Sequence, residues 1–351
     1  MQIGTYICQQ PAILAALPGV LAQPLAALPA LARTPERIVL LGTGSSMNAL
    51  LAGADALEAA TGAAIVAKEP EAFLRRPPRP NASATLVLAA SQSGMSITSI
   101  EAVRLAVALG FPTVVITADG DSPIAKAGAD TVLIPIGPET VGPKTKGYTA
   151  TVLAVLSVAA RLGGRPLDLS GLAAALERTV ETGRLAADEL LQRVGVPDYI
   201  LVAGQAGHVG TALEASLKIA EISGVPTAAF DTEEALHGHC YGTTPNSLVI
   251  VIAQTADEAG VAANLGEALT PLGPRLAVCN LSGHATRFDW TVAWPEGAGP
   301  EELEWLGPAW APVPFQWLGC ALATARGLNP DTMIYPDIGK KLNVRLRSTV
   351  A

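Results

Sequence analysis

The stretch RIVLLGTGSS at residues 37–46 decides the fold, because the chain contains a second version of it, YILVAGQAGH, which begins at residue 199. A second pair of similar stretches follows the same pattern, with TLVLAASQSG beginning at residue 85 and SLVIVIAQTA at residue 247. The interval between the two members is the same in both pairs. Each stretch is an apolar strand that ends in a turn of small residues. The equal spacing predicts two copies of one α/β unit.

Short apolar runs without polar alternation are typical of parallel strands that are covered on both faces. We expect strands near 37–42, 62–67, 84–90, 113–117 and 131–135, and again near 199–203, 226–230, 247–253 and 275–279. We expect helices near 10–32, 46–60, 96–109, 147–162, 209–223, 256–268 and 313–326. The predicted fold is two tandem flavodoxin-like α/β sandwiches with parallel sheets. Its predicted parts are a first subdomain at 1–165, a helical connector at 166–195 and a second subdomain at 196–351.

The amino-acid composition argues against several classes of protein. Half of the 351 residues are hydrophobic and 15% are charged, which argues against disorder. The net charge of −8 and the lack of a dense basic stretch argue against a nucleic-acid partner. We find no signal peptide and no uninterrupted apolar run long enough for a membrane span. The four scattered cysteines fit a reducing compartment, so we expect a cytoplasmic protein.

Two turns of the first copy could hold a phosphate. GTGSSMNA (42–49) and SQSGMS (91–96) each follow a predicted strand and lead into a helix. Backbone N–H groups at a helix start attract anions, and strand C-termini in open α/β sheets are where ligands bind. A plain N-cap is the alternative. A dinucleotide site is disfavoured because Met47 stands where G-x-G-x-x-G needs its third glycine. The turns GQAGHVG and AQTADE of the second copy hold fewer hydroxyls, so we place the phosphate in the first copy only.

The segment LEASLKIAEISGVPTAAFDTEEALHGH (213–239) concentrates ionisable residues. Lys218 lies three residues before Glu221 and four after Glu214, so all three share one helix face. A simple helical ion pair is the alternative, but a buried pair would need a function. His237 suits general acid/base chemistry, with a structural histidine as the alternative. We expect no metal, because His237 and His239 lack a third ligand at metal spacing.

The ordered motifs make a family resemblance visible. CQQPAILAAL, GTGSS, SQSG, ETVGPKTKGYT, LEASLKIAEIS and EALHG together resemble the SIS (sugar isomerase) family over essentially the whole chain. The chain looks most like the isomerase half of glucosamine-6-phosphate synthase and like fructosamine-6-phosphate deglycases. No cysteine follows Met1, so we expect no glutaminase activity. We also expect no cofactor.

The resemblance assigns roles to residues of this sequence. It implies that the sugar phosphate is held by Ser46, Ser91, Gln92, Ser93 and Ser96, and that the sugar also meets Gly44, Ser45, Lys144, Thr145 and Glu234. Glu221 matches the acid/base between C1 and C2, with Lys218 beside it. His237 matches the histidine that opens the ring, and in the family it comes from the partner subunit, which implies a homodimer. Lys341 fits the C-terminal Schiff-base lysine best, with Lys340 adjacent.

One departure from the family points to the substrate. Lys144 stands where the synthases carry a serine near the sugar, and a cation there could meet the carboxylate of an amino-acid adduct. The sequence therefore predicts a fructosamine-6-phosphate deglycase that binds a small sugar phosphate. Alternatives are an aldose–ketose isomerase, an amino-sugar-phosphate deaminase and, from another class, a non-catalytic sugar-phosphate-binding regulator. The amine group of the substrate stays open.

Overall fold

A computed structural model describes residues 1–78, 84–164, 172–282, 284–290, 300–335, 338–342 and 344–346. The chain divides into two compact units. The first unit comprises Ala12–Glu139, Lys146–Asp168 and Tyr335–Ala351. The second unit comprises Met1–Pro11, Thr140–Thr145 and Leu169–Ile334.

A parallel sheet of five strands forms the centre of the first unit. Its strands are β1 (Arg37–Leu41), β2 (Ala64–Lys68), β3 (Thr85–Ala90), β4 (Thr113–Thr117) and β5 (Asp130–Leu133). They lie in the order β2-β1-β3-β4-β5. Every residue of β3 and β4 is buried, which is why these segments read as unbroken apolar runs.

Most helices of the first unit lie between its strands in the chain. The helices of this unit include α3 (Ser45–Ala52), α4 (Ala54–Thr61), α5 (Pro70–Arg75), α6 (Ile97–Ala108), α7 (Lys146–Gly163) and α14 (Ile338–Leu342). The single helix predicted at 46–60 is divided at Gly53. A Cβ atom at Gly53 would lie 2.4 Å from Cγ1 of Val155, so glycine allows α7 to approach this point closely.

The second unit repeats the topology of the first. Its strands are β6 (Tyr199–Gly204), β7 (Thr227–Asp231), β8 (Ser247–Ala253), β9 (Arg275–Asn280) and β10 (Asp289–Trp290), in the order β10-β9-β8-β6-β7. Arg37 pairs with Thr85 in the first sheet, and Tyr199 pairs with Ser247 in the second. The interval between the two copies seen in the sequence is thus preserved in the strand register, which confirms the predicted pair of parallel α/β sandwiches.

The second unit contains seven α-helices among the residues that the structure describes. They are α1 (Gln2–Cys8), α8 (Leu172–Val194), α9 (Gly207–Ser223), α10 (Thr232–Leu236), α11 (Ala256–Leu269), α12 (Pro300–Trp310) and α13 (Pro312–Ala325). Helix α13 is buried along most of its length, and it packs on α9 and α8. Most of the predicted connector lies in α8, while residues 165–171 lie outside the described part of the chain.

The opening helix is α2 (Gln10–Ala27), followed by a 3₁₀ turn at Pro29–Leu31. Among the described residues α2 is the one helix that is long and apolar enough to cross a membrane. A third of it is buried, and it contains Pro18 and Pro24. Core helices of globular proteins meet the same length and composition, so this feature is weak evidence for a span.

Candidate functional site

The two serine-bearing turns lie side by side in the first unit. Strand β1 is bordered by β2 on one side and β3 on the other, so the chain changes direction across the sheet between β1 and β3. Residues 42–46 follow β1 and residues 91–96 follow β3. The carboxyl ends of neighbouring parallel strands meet at one edge, and ligands bind at this switch point in flavodoxin-like sheets. The structure therefore brings together Ser45 and Ser46 with the 91–96 turn.

The 91–96 turn is held in one conformation by its glycine. Gly94 has φ of +64°, and its N–H donates to the carbonyl oxygen of Ser91 at 3.0 Å. A Cβ atom at Gly94 would lie 2.1 Å from Oγ of Ser122, so both backbone and space require glycine. Ser99 Oγ donates to Ser96 Oγ at 2.9 Å, which fixes the last serine of the turn where α6 begins.

Backbone donors are available inside this turn. The carbonyl oxygen of Gln92 accepts bonds from Ala118 N at 3.0 Å and from Thr117 Oγ1 at 3.3 Å. Among the described residues, none accepts a hydrogen bond from the N–H of Gln92 or Ser93. Two adjacent N–H groups at a strand end, close to serine hydroxyls, can bind an anion.

The 42–46 turn has a counterpart in the second unit with the same backbone conformation. Gly44, at the start of α3, has φ 53° and ψ −134°. Ala206, its counterpart in the repeat, lies at the start of α9 and has φ 52° and ψ −133°. Ala206 is the only non-glycine residue with positive φ among those described. Such a conformation costs about 1–3 kcal/mol for a residue with a side chain, so the second unit retains the turn in spite of strain.

Protein groups fill the counterpart of the 91–96 turn, which lies at 253–258 in the second unit. Glu258 corresponds to Ser96 in the repeat, and its Oε2 accepts from Gln254 N at 2.6 Å and Thr255 N at 3.1 Å. Gln254 and Thr255 are the counterparts of Gln92 and Ser93. A carboxylate thus already occupies the two N–H groups that are open in the first unit. Helix α11 begins directly after Thr255, and this brings Glu258 back onto the turn as part of a capping box.

His208 lies in the counterpart of the 42–46 turn and contacts the 253–258 turn beside it. It corresponds to Ser46, and its Nε2 meets Oε1 of Gln254. Gly307 of α12 covers the pair, because a Cβ atom there would lie 2.0 Å from Oε1 of Gln254. Burial lowers the pKa of His208 below its usual value, although the bond to Gln254 and the charge of Glu258 act in the opposite direction.

The predicted acid/base group lies on α9. Lys218 Nζ forms an ion pair with Glu221 and lies 3.6 Å from Oε1 of Glu214. Lys218 is 2% exposed and Glu214 is fully buried, whereas the Glu221 side chain is 26% exposed. Burial beside two carboxylates holds the lysine in one place. Only Glu221 of the three offers a carboxylate to a ligand that approaches from solvent.

His237 and Glu234 lie on the exposed end of the next helix-and-turn segment. His237 follows α10, its side chain is 76% exposed, and its Nε2 lies 4.0 Å from Glu233. Glu234 pairs instead with His239 at 3.6 Å, and the His239 ring stacks on Phe230. The structure therefore places the predicted ring-opening histidine at a surface. In the described part of the chain, His, Cys, Asp and Glu side chains form no group suited to a metal ion.

The remaining predicted residues are lysines and a threonine on other segments. Lys144 Nζ donates to the carbonyl oxygen of Val141 at 3.0 Å, and Thr145 is buried in the second unit. Lys341 is exposed on α14 of the first unit. The side chain of Lys340 lies outside the described residues.

Sequence reasoning assigned no role to Glu139. This residue belongs to the quoted stretch ETVGPKTKGYT, and its Oε2 lies 3.3 Å from Gln92 Nε2 and 3.3 Å from Gly147 N. Glu139 and Gln92 are far apart along the chain. No local spacing relates them, so only the paired strands and α7 bring them into contact.

Comparison with known proteins agrees with this architecture. The SIS domain family matches residues 31–161. The glutamine–fructose-6-phosphate aminotransferase of Aeropyrum pernix is 30% identical over 84% of this chain and 49% of its own length. The chain spans about half the length of the curated relatives it matches.

Solved structures share the fold over nearly their whole length. The C-terminal domain of glucosamine-fructose-6-phosphate aminotransferase from Francisella tularensis has a TM-score of 0.78 and 16% identity, covering 95% of this chain and 98% of that one. The tagatose-6-phosphate ketose/aldose isomerase of Escherichia coli has a TM-score of 0.79 and 18% identity, covering 95% of each chain. The SIS domain family model thus matches most of the first unit, and the second unit repeats the topology of the first.

Proposed function

We propose that this protein is a phosphosugar-processing enzyme, a fructosamine-6-phosphate deglycase that acts on an amino-ketose 6-phosphate. The observation that carries the proposal is the Lys218–Glu221 pair, in which a buried cation holds a carboxylate that solvent still reaches. A general acid/base needs this combination of fixed position and access. The SIS match and the fructose-6-phosphate named for the curated relatives support a phosphosugar as substrate.

The phosphate is assigned to the first unit. Its 91–96 turn offers open N–H groups at Gln92 and Ser93, together with the hydroxyls of Ser91 and Ser96. The counterpart of this turn in the second unit, at 253–258, has both of its corresponding N–H groups bonded to Glu258. One phosphate site for each chain follows. Gly44, Ser45 and Ser46 follow the neighbouring strand β1, and this position supports a role for them in the same site.

One carboxylate, that of Glu221, carries out the proton transfers of the proposed reaction. His237 assists opening of the sugar ring. Glu221 removes a proton from C1 of the open-chain amino-ketose to give an enaminol, and a proton returned to C2 gives an imine at C1. Water adds to the imine carbon and the amine leaves, which yields an aldose 6-phosphate and a free amine. An isomerase would use the same proton transfer without the hydrolysis.

Lys144 is the residue that favours an amino-acid adduct. Its ammonium group could meet the carboxylate of the amino-acid part, whereas a plain sugar phosphate has none. Because the substrate already carries nitrogen, Lys341 need not form a Schiff base. Thr145 and Glu234 are assigned to contacts with the sugar.

The proposed enzyme is a cytoplasmic homodimer in which His237 serves the partner's site. Its exposure in a single chain supports this assignment. Mixing inactive E221Q and H237A proteins tests it, because only mixed dimers then contain one complete site. We expect recovery of about a quarter of wild-type activity. No recovery would place His237 and Glu221 of one chain in the same site.

A substrate panel tests the function itself. The purified protein is incubated with several amino-acid adducts of fructose 6-phosphate, with glucosamine 6-phosphate and with unsubstituted ketose phosphates. Release of free amino acid and an aldose 6-phosphate supports the deglycase. Ammonia release indicates a deaminase, and interconversion of ketose and aldose indicates an isomerase. Binding without turnover of any candidate indicates a sugar-phosphate-binding regulator and overturns the proposal.

A further inference from the structure

Glu139 contacts a residue that is assigned to phosphate binding, although it is itself an anion. Its Oε2 accepts hydrogen bonds from Nε2 of Gln92 and from the backbone N–H of Gly147, both at 3.3 Å. Gly147 lies in the first turn of α7, where N–H groups favour a negative charge. All three residues belong to the first unit.

The contact depends on a glycine. A Cβ atom at Gly147 would lie 2.1 Å from Nε2 of Gln92 and 3.0 Å from Oε2 of Glu139. Any side chain at this position would push the Gln92 amide away from the carboxylate. The backbone of Gln92 is fixed as well, because its carbonyl oxygen accepts bonds from Ala118 N and Thr117 Oγ1. Gln92 is therefore held at both ends.

A carboxylate determines which end of an amide it meets. The oxygen and nitrogen of a glutamine side chain have nearly the same shape, and a rotation of the amide exchanges them. Ionised Glu139 only accepts hydrogen bonds, so the nitrogen of Gln92 must face it. One N–H of that nitrogen is used, and the second remains a donor for an anion.

The second unit lacks this arrangement. Gln254, the counterpart of Gln92, meets His208 through its oxygen, and its turn is filled by Glu258. The glutamine that is held by a carboxylate through its nitrogen is thus the one beside the open turn.

We propose that Glu139 is a positioning residue for the phosphate site, which orients the Gln92 amide so that an N–H faces the sugar phosphate. This inference rests on the proposed function. Because the phosphate is part of the substrate in both the ground state and the transition state, loss of the orientation raises KM and changes kcat little.

A double-mutant cycle tests the inference. KM for an active fructosamine 6-phosphate and the Kd for inorganic phosphate are measured for Q92A, E139A and the Q92A/E139A pair. Glu58→Ala, at an exposed position of α4, is the charge-matched control. We expect each single variant to raise KM by about tenfold, the double variant to match Q92A, and Glu58→Ala to match the wild type. G147A should reproduce the effect of E139A, and E139Q should restore part of the affinity, since its amide oxygen can accept the same bonds.

These measurements distinguish an error in the role of Glu139 from an error in the position of the phosphate site. If Q92A raises KM but the effect of E139A is absent or simply adds to it, the inference about Glu139 is wrong and the phosphate site stands. If Q92A leaves both KM and the phosphate Kd unchanged, the assigned phosphate site is wrong, and the inference falls with it. Thermal unfolding of E139A and E139Q identifies any loss of folded protein, and E139Q then decides the comparison.

Discussion

Lys218 and Glu221 form an ion pair one turn apart on α9, with the lysine buried and the glutamate partly open to solvent. Lys218 also lies 3.6 Å from the buried carboxylate of Glu214. The lysine therefore has two roles. It neutralises a buried carboxylate, and it fixes the carboxylate that we assign to proton transfer.

Replacing Lys218 by methionine should be costly for stability. The substitution removes a cation next to a buried carboxylate, which typically costs about 3 kcal/mol or more. A second substitution, Glu214→Gln, should restore a large part of that loss because it removes the buried negative charge. Urea unfolding of K218M, E214Q and the double variant measures both effects. Equal stability of K218M and K218M/E214Q would show that Lys218 does not neutralise Glu214.

Gly94 of the 91–96 turn can be compared with Gly62, which follows α4. Gly94 and Gly62 have φ of +64° and +67°, so the backbone conformation alone should cost alanine about 1 kcal/mol of stability at either site. Only at Gly94 would the new Cβ atom meet a neighbour, Ser122 Oγ, while nothing lies within 4 Å at Gly62. We expect Gly94→Ala to raise KM for the sugar phosphate by about tenfold or more, and Gly62→Ala to leave it unchanged. Similar KM values for both variants would argue against the 91–96 turn as the phosphate site.

Glu258 should stabilise the second unit. Its carboxylate accepts two backbone N–H bonds at the start of α11, so Glu258→Ala should lower the free energy of unfolding by about 1–2 kcal/mol. Glu258→Gln keeps one acceptor oxygen and should cost less. Glu267 forms an exposed ion pair with Arg287, and Glu267→Ala should change stability by less than about 1 kcal/mol. If Glu267→Ala lowered the free energy of unfolding as much as Glu258→Ala, the interpretation that Glu258 fills the 253–258 turn would be wrong.

The buried His208 should make stability depend on pH. Its pKa is lowered by burial, so the unfolded chain binds more protons at this residue than the folded chain once the pH falls below about 6.5. Stability should therefore be highest above that pH and decrease below it, by at most about 1.4 kcal/mol per pH unit from this one group. His208→Asn should flatten the difference in Tm between pH 7.5 and pH 5.5. The exposed His237 serves as a control, and an equal flattening in H237N would point away from His208.

The sequence predicted the repeated sheet because buried parallel strands are continuous apolar runs, and two pairs of them share one spacing. It did not predict the division of the helix at Gly53, which depends on a close contact with Val155. It also missed β10, which has two residues, and α12, which contains Pro308. Such elements carry little local signal, and they form because neighbouring strands and helices support them.

As with the fold, the sequence indicated some parts of the candidate site and not others. The turns and the Lys218–Glu221 spacing are visible in the sequence, since each depends on residues that are close along the chain. Glu139 and Gln92 meet only after folding. The filling of the second turn was also not foreseen beyond its lack of hydroxyls, because it requires α11 to begin directly after Thr255. The assignments of Glu221, His237 and the serines stay predictions until they are measured.

Hydrogen exchange tests most directly whether Glu221 transfers a proton between C1 and C2. An amino-acid adduct of fructose 6-phosphate is incubated with enzyme in D₂O, and NMR follows deuterium at C1 of the remaining substrate and at C2 of the aldose product. We expect deuterium at these carbons with the wild type. In Glu221→Gln we expect a loss of deuterium incorporation of about 100-fold or more, with an unchanged Kd for inorganic phosphate. Exchange and turnover near the wild-type rate in Glu221→Gln would contradict this role of Glu221.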